Sequence, residues 1–162
     1  MTDLCAALRR VLADTFMFYL EAHFFHWNVE GPTFSQLHEL FGDIYEDAFE
    51  AADDIAEKIR TLGEFAPMTP EELVSGATMN ILPVLEANAM VAKLAEDNVL
   101  VLRSLSDAQE CAGACGYPEV ANFLQERMDR HDKWGWMLKA TLGAAESGVT
   151  LRQFTLYDYG RS

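Results

Sequence analysis

The stretch "TFSQLHELFGDIYEDAFEAADDIAEKIRTLG", residues 33–63, decides the architecture. Phe34, Leu37, Phe41, Ile44, Ala48, Ile55, Ile59 and Leu62 fall on one stripe at helical spacing. The segment is therefore predicted as an amphipathic helix with that stripe turned to a bundle interior. Thr33 with Gln36 three residues on reads as a capping box directly after Pro32, and Gly63 as a left-handed stop. A second apolar stripe, Tyr45, Phe49, Ala52 and Ala56, lies about 80° around the helix from the first at 100° per residue. A monomeric bundle needs one such face. Two adjacent stripes predict a helix that packs into its own bundle and also against another chain.

Working outward, prolines and glycines divide the chain into segments 3–30, 33–62, 70–76, 83–114 and 118–145, followed by a tail. Leu4, Leu8, Val11, Thr15, Phe18 and Ala22 give the first segment a core stripe, which Leu12, Phe16 and Trp27 widen sideways. Val120, Leu124, Trp134, Leu138 and Leu142 do the same for the last. Four long helices of about 28 to 32 residues predict an all-α four-helix bundle. The link from 63 to 82 suits a crossover between the second and third long helices. A short helix is expected inside it, because Thr69-Pro70-Glu71-Glu72 places a cap and a first-turn proline together. Residues 1–145 are read as the bundle and 146–162 as a C-terminal tail, whose Leu151, Phe154, Leu156 and Tyr157 predict docking on the body.

The 162 residues carry 26 acidic and 12 basic side chains, a formal charge of −14. Phosphate binding relies on clustered Lys and Arg, so this balance argues against nucleic acid and anionic membranes as partners. No apolar run is long enough to span a bilayer and no signal-peptide order opens the chain, so a cytoplasmic protein is expected. Cys5, Cys111 and Cys115 form no recognised metal spacing. Cys111 and Cys115, four apart, would share a helix face and are expected to be reduced, packed thiols.

Chemistry has few candidate carriers. His26 and His38 flank Gly31-Pro32 among aromatic and aliphatic residues, and Asp53 and Glu57 lie four apart on one face of a helix. A buried histidine is ordinarily a hydrogen-bonded core residue, and acidic helix faces are ordinarily solvated, so spacing alone leaves both readings open. His38 and Glu57 are nineteen residues apart on one helix, about 28 Å along its axis, too far to share an ion within a chain. If the helix pairs antiparallel with its own copy, crossing near residues 46 to 48, His38 comes beside the second copy's Asp53 and Glu57. A two-fold dimer with two inter-chain metal sites follows as a hypothesis. His23 is expected to stack in that seam, and His131 to be structural.

"HWNVEGPTFSQLHELF" (26–41), "DDIAEKIRTLG" (53–63) and "WML" (136–138) together resemble the Dps family of mini-ferritins, over roughly residues 3 to 143. The resemblance implies a ferritin-like bundle assembled from two-fold dimers into a hollow dodecamer. It also implies oxidation of Fe(II), typically with hydrogen peroxide, and storage of the ferric mineral. Carried over by position, the iron ligands are His26 and His38 of one chain with Asp53 and Glu57 of its mate, and Trp27 is the aromatic beside the site. The family's acidic residue four after the second histidine is replaced by Gly42, leaving Asp43 and Glu46 as possible substitutes. That replacement motivates an alternative, a cage of the same fold with an impaired site that acts as a structural or metal-sequestering shell. Acidic residues lining an iron-access pore would be Glu119 and, further along, Glu126, with Asn122 at a second usual acidic place. The Lys-rich tail with which members coat DNA is missing, so DNA coating is not expected.

Overall fold

A computed structural model describes residues 3–146. They form α1 (Asp3–Asn28), α2 (Phe34–Thr61), the short α3 (Pro70–Val74), α4 (Ala87–Ala114) and α5 (Pro118–Glu146), with no strand among the described residues. α1 and α2 make one hairpin, α4 and α5 the other, and α1 packs along α4. The second link crosses the bundle through α3, as an antiparallel pair of hairpins joined end to end requires. This is the four-helix bundle expected from the stripes, with the crossover helix expected from Thr69-Pro70. No helix among the described residues is long and apolar enough to cross a membrane. All of the expected tail except Glu146 lies outside the described residues.

The predicted stripes form the core. Leu37, Phe41, Ile44, Ala48, Ile55 and Ile59 of α2 are buried, and so are Leu4, Leu8, Val11, Phe18 and Ala22 of α1. Each large side chain fully buried in this way favours folding by about 1.5–3 kcal/mol. Phe34 departs from the expectation: it is exposed, because it sits at the first turn of α2, beyond the end of the facing stripe.

Two of the three predicted helix signals hold. The Thr69 side chain accepts from the Glu72 N–H at 3.1 Å, and Gly63 adopts φ +87° after α2. Thr33 makes no side-chain cap. Its backbone lies at φ −98°, ψ 12°, not the extended conformation of a capping residue, and continues a turn in which the Phe34 N–H donates to the Gly31 carbonyl at 3.1 Å. α4 starts four residues beyond Pro83, where the Glu86 side chain accepts from the Ala89 N–H at 2.7 Å.

Polar ties set the helices' register. Asp47 of α2 takes two bonds from Arg127 of α5, at 3.1 and 2.7 Å, and one from Trp134 Nε1 at 3.1 Å. Burial opposes ionisation of Asp47, but these donors win and hold its pKa below the usual carboxylate range. Asp14, buried in α1, accepts from the N–H and hydroxyl of Thr78 and so moors the crossover.

Candidate metal centre

The Gly31-Pro32 turn folds α2 back along α1, which places His26, in the last turn of α1, beside His38 near the start of α2. Their rings stack with centroids 3.7 Å apart and planes 21° apart. Each ring is also tied to the opposite helix. His26 Nδ1 lies 2.7 Å from the main-chain oxygen of His38, and His38 Nδ1 lies 2.8 Å from that of His26. A carbonyl oxygen can only accept, so each Nδ1 carries the hydrogen and donates it. An imidazole with its hydrogen on Nδ1 keeps its lone pair on Nε2, the atom left over for a metal. Fixing the tautomer through the second ring nitrogen is what orients histidine ligands generally. Here each histidine orients the other.

Aromatic groups brace the pair. Phe34 stacks on His38 at 5.0 Å, and Tyr45 meets His26 edge-on at 5.1 Å. Within the chain, His23 stacks on Tyr45 at 4.0 Å and packs against Trp27 at 4.2 Å. Desolvation, with His26 beside it, lowers the His23 pKa. The same face continues through Tyr19 to Phe49, 5.3 Å apart. Trp27 is 60% exposed and Phe49 57%, so the second stripe of α2 and its extension from α1 present apolar rings outward.

Gly42 is buried under the His26 ring. A Cβ built on it would lie 3.4 Å from His26 Nδ1 and 3.5 Å from Cε1, ordinary contact distances at their near end. Asp43 is exposed and, five residues after His38, is turned about 140° from it around the helix, so it cannot take the place of a residue at 42. Glu46 is exposed, one turn further on, and accepts from the Tyr45 hydroxyl at 3.4 Å. Burial, then the Glu46 carboxylate, raises the pKa of that hydroxyl.

Asp53 and Glu57 are exposed near the other end of α2. Asp53 borders an open groove of about 760 Å³ whose walls include Leu12, Phe16, Phe49, Ala52 and Ala56. Within one protomer the structure brings His26 and His38 together and keeps Asp53 and Glu57 away from them. Among the described residues, no three His, Cys, Asp or Glu side chains of a single chain converge on one point. Glu119, in the first turn of α5, and Glu126 are exposed, and the single chain does not gather them.

Two contributors escaped the sequence reading. Phe34 reads as core, although its spacing of four from His38 already placed the two on one helix face. The mutual Nδ1 ties use main-chain oxygens, which leave no mark in side-chain identities.

Comparison with known proteins agrees with the fold. The family description "Ferritin-like domain" matches residues 5–147. An uncharacterized low temperature-induced protein of a Nostoc species is 34% identical over 82% of this chain and 76% of its own length. The DNA protection during starvation protein of Brevibacillus brevis is 31% identical over 83% of this chain and 91% of its own. The crystal structure of a Vibrio cholerae Dps protein, described as a member of the ferritin-like diiron-carboxylate superfamily, superposes with a TM-score of 0.81. It covers 86% of this chain and 88% of its own, at 27% identity. The chain belongs to the ferritin-like family and, within it, to the Dps proteins.

Proposed function

We propose that the protein oxidises Fe(II) and stores the ferric product inside a hollow shell. Each oxidation site combines His26 and His38 of one chain with Asp53 and Glu57 of its two-fold mate. The observation that carries this reading is the reciprocal Nδ1 tie, which leaves two Nε2 lone pairs fixed side by side on an aromatic face. The face itself supports a second copy as occupant, since its exposed rings and the groove beside Asp53 belong to the same surface. Imidazole with carboxylate is a donor set that holds iron in both oxidation states. With hydrogen peroxide as oxidant, two Fe(II) give up one electron each, the O–O bond breaks, and two protons complete two waters. Splitting peroxide by two electrons releases no hydroxyl radical.

Twelve chains built from such dimers are the assembly proposed. The name of the Brevibacillus relative speaks of DNA protection. A charge of −14 favours protection by removing iron and peroxide over coating the nucleic acid. The test is to mix Fe(II) and peroxide with the protein and follow ferric absorbance. His38→Ala should fall to the uncatalysed rate, and wild-type rates in that variant would refute the assignment.

Gly42 favours a second reading, a shell that holds metal without oxidising it efficiently. No side chain at 42 offers a carboxylate beside His26. Tight metal binding by an assembled shell, with no acceleration of Fe(II) oxidation, would decide for it.

A further inference from the structure

Away from the histidines, two soft donor atoms lie in contact. Cys111, in the last turn of α4, and Cys115, which caps it, lie on one side of the helix end with their Sγ atoms 3.9 Å apart. We propose that this pair is a dithiolate chelate for a thiophilic d10 cation, of the Zn(II), Cd(II) or Cu(I) type, independent of the proposed iron site.

The distance decides between the two fates open to a thiol pair. A tetrahedral centre with metal–sulfur bonds of about 2.3 Å separates its thiolates by about 3.8 Å, which this pair already matches. A disulfide needs Cβ atoms about 3.5–4.5 Å apart. Residues four apart on a helix hold theirs at about 5–6 Å. The Cys115 N–H still bonds the Cys111 carbonyl at 2.9 Å, so oxidation would have to unwind the end of α4, whereas chelation moves nothing.

The surroundings fit an open site. Cys115 is exposed and Cys111 half-buried. Burial, the neighbouring thiol and the Asp3 carboxylate all disfavour a bare thiolate at Cys111. The Asp3 carboxylate, a standing negative charge nearby, favours a bound cation. No third protein ligand joins the pair among the described residues. Water or a small external thiol completes the shell, which makes the site one for capture and exchange rather than for holding the fold together.

Titration of the reduced full-length protein with Cd(II) tests this, because the thiolate-to-cadmium charge-transfer band ignores histidine and carboxylate sites. The band should saturate at one cadmium per chain and shield Cys111 and Cys115 together from a thiol reagent. Cys115→Ser and Cys111→Ser should each abolish the band while leaving helicity intact. No band in the wild type, a band that survives either serine variant, or one cadmium to two chains would overturn the proposal.

Discussion

Gly42 faces the His26 ring across the α1–α2 hairpin, and a methyl group on it would just reach contact, 3.4 Å from Nδ1. Gly42→Ala should therefore be accepted, and an alanine in a helix interior is worth up to about 1 kcal/mol over glycine. The expected result is a higher urea midpoint with unchanged Fe(II) oxidation. Gly42→Asp should instead add a carboxylate beside His26 and raise both the iron bound per site and the oxidation rate. If Gly42→Asp binds no more iron than Gly42→Ala, the missing carboxylate is not what limits the site.

His131 is buried and has a purely structural position, and pH reveals it. His131 Nδ1 donates to Asn98 Oδ1 at 2.8 Å, while Asn98 Nδ2 donates to the His131 carbonyl at 2.9 Å. Burial, then Arg127, pushes the His131 pKa down to about 3 from 6.5. The unfolded chain thus takes up a proton that the folded one refuses, so this contribution is whole above pH 6.5 and is lost as pH falls towards 3. Asn98→Ala should cost about 1–3 kcal/mol by orphaning buried partners. Gly135→Ala should also destabilise, since its Cβ would come within 3.0 Å of Asn98 Nδ2. Urea unfolding between pH 7 and pH 5 is the measurement, with His131→Asn expected to show a shallower decline than wild type.

Glu21 titrates in the opposite sense. It is fully buried in α1, with Lys93 Nζ of α4 at 3.2 Å from Oε1, and Lys93 also pairs with Asp97. One ammonium faces two carboxylates. Burial and the Asp97 charge push the Glu21 pKa up to about 8, against the pull of Lys93. The folded chain here keeps a proton that the unfolded one gives up. The contribution is whole below about 4.5 and is lost as pH rises through about 8. Glu21→Gln should remove that loss, so the variant gains on wild type as pH rises from 5 to 9. Lys93→Met should cost about 3–5 kcal/mol, because it leaves buried carboxylates without their cation. An unchanged denaturant midpoint in Lys93→Met would show that Lys93 does not carry this role.

These buried polar groups mark where the sequence stops being legible. Long stripes such as Leu37–Ile59 announce helices because burial repeats every turn, and Gly63 and Thr69 announce ends because one residue carries the whole signal. Glu21, Asp14 and Asn98 find their partners in Lys93, Thr78 and His131, at least thirty-three positions away in the chain. No local pattern encodes such a partner. Thr33 shows the converse, a capping pattern left unused because the residue's backbone continues the Gly31 turn instead of adopting the extended cap conformation. The site divides along the same line. His26 and His38 are twelve residues apart and joined by a turn, so their meeting could be read. Their tie through main-chain oxygens could not.

The separation of His38 from Asp53 and Glu57 along α2 makes the inter-chain site testable by mixing two inactive proteins. His38→Ala lacks its imidazole in every site, and Asp53→Ala with Glu57→Ala lacks its carboxylates in every site. In a mixed two-fold dimer, one site draws histidines from the carboxylate variant and carboxylates from the histidine variant, and is intact. The other site lacks both. Random reassembly of equal amounts makes half the dimers mixed, and each has one good site in two, so about a quarter of wild-type activity should return. The measurement is the initial rate of Fe(III) formation before and after unfolding and refolding the two variants together. A site contained within one chain would return none, because every chain in the mixture then carries its own defect.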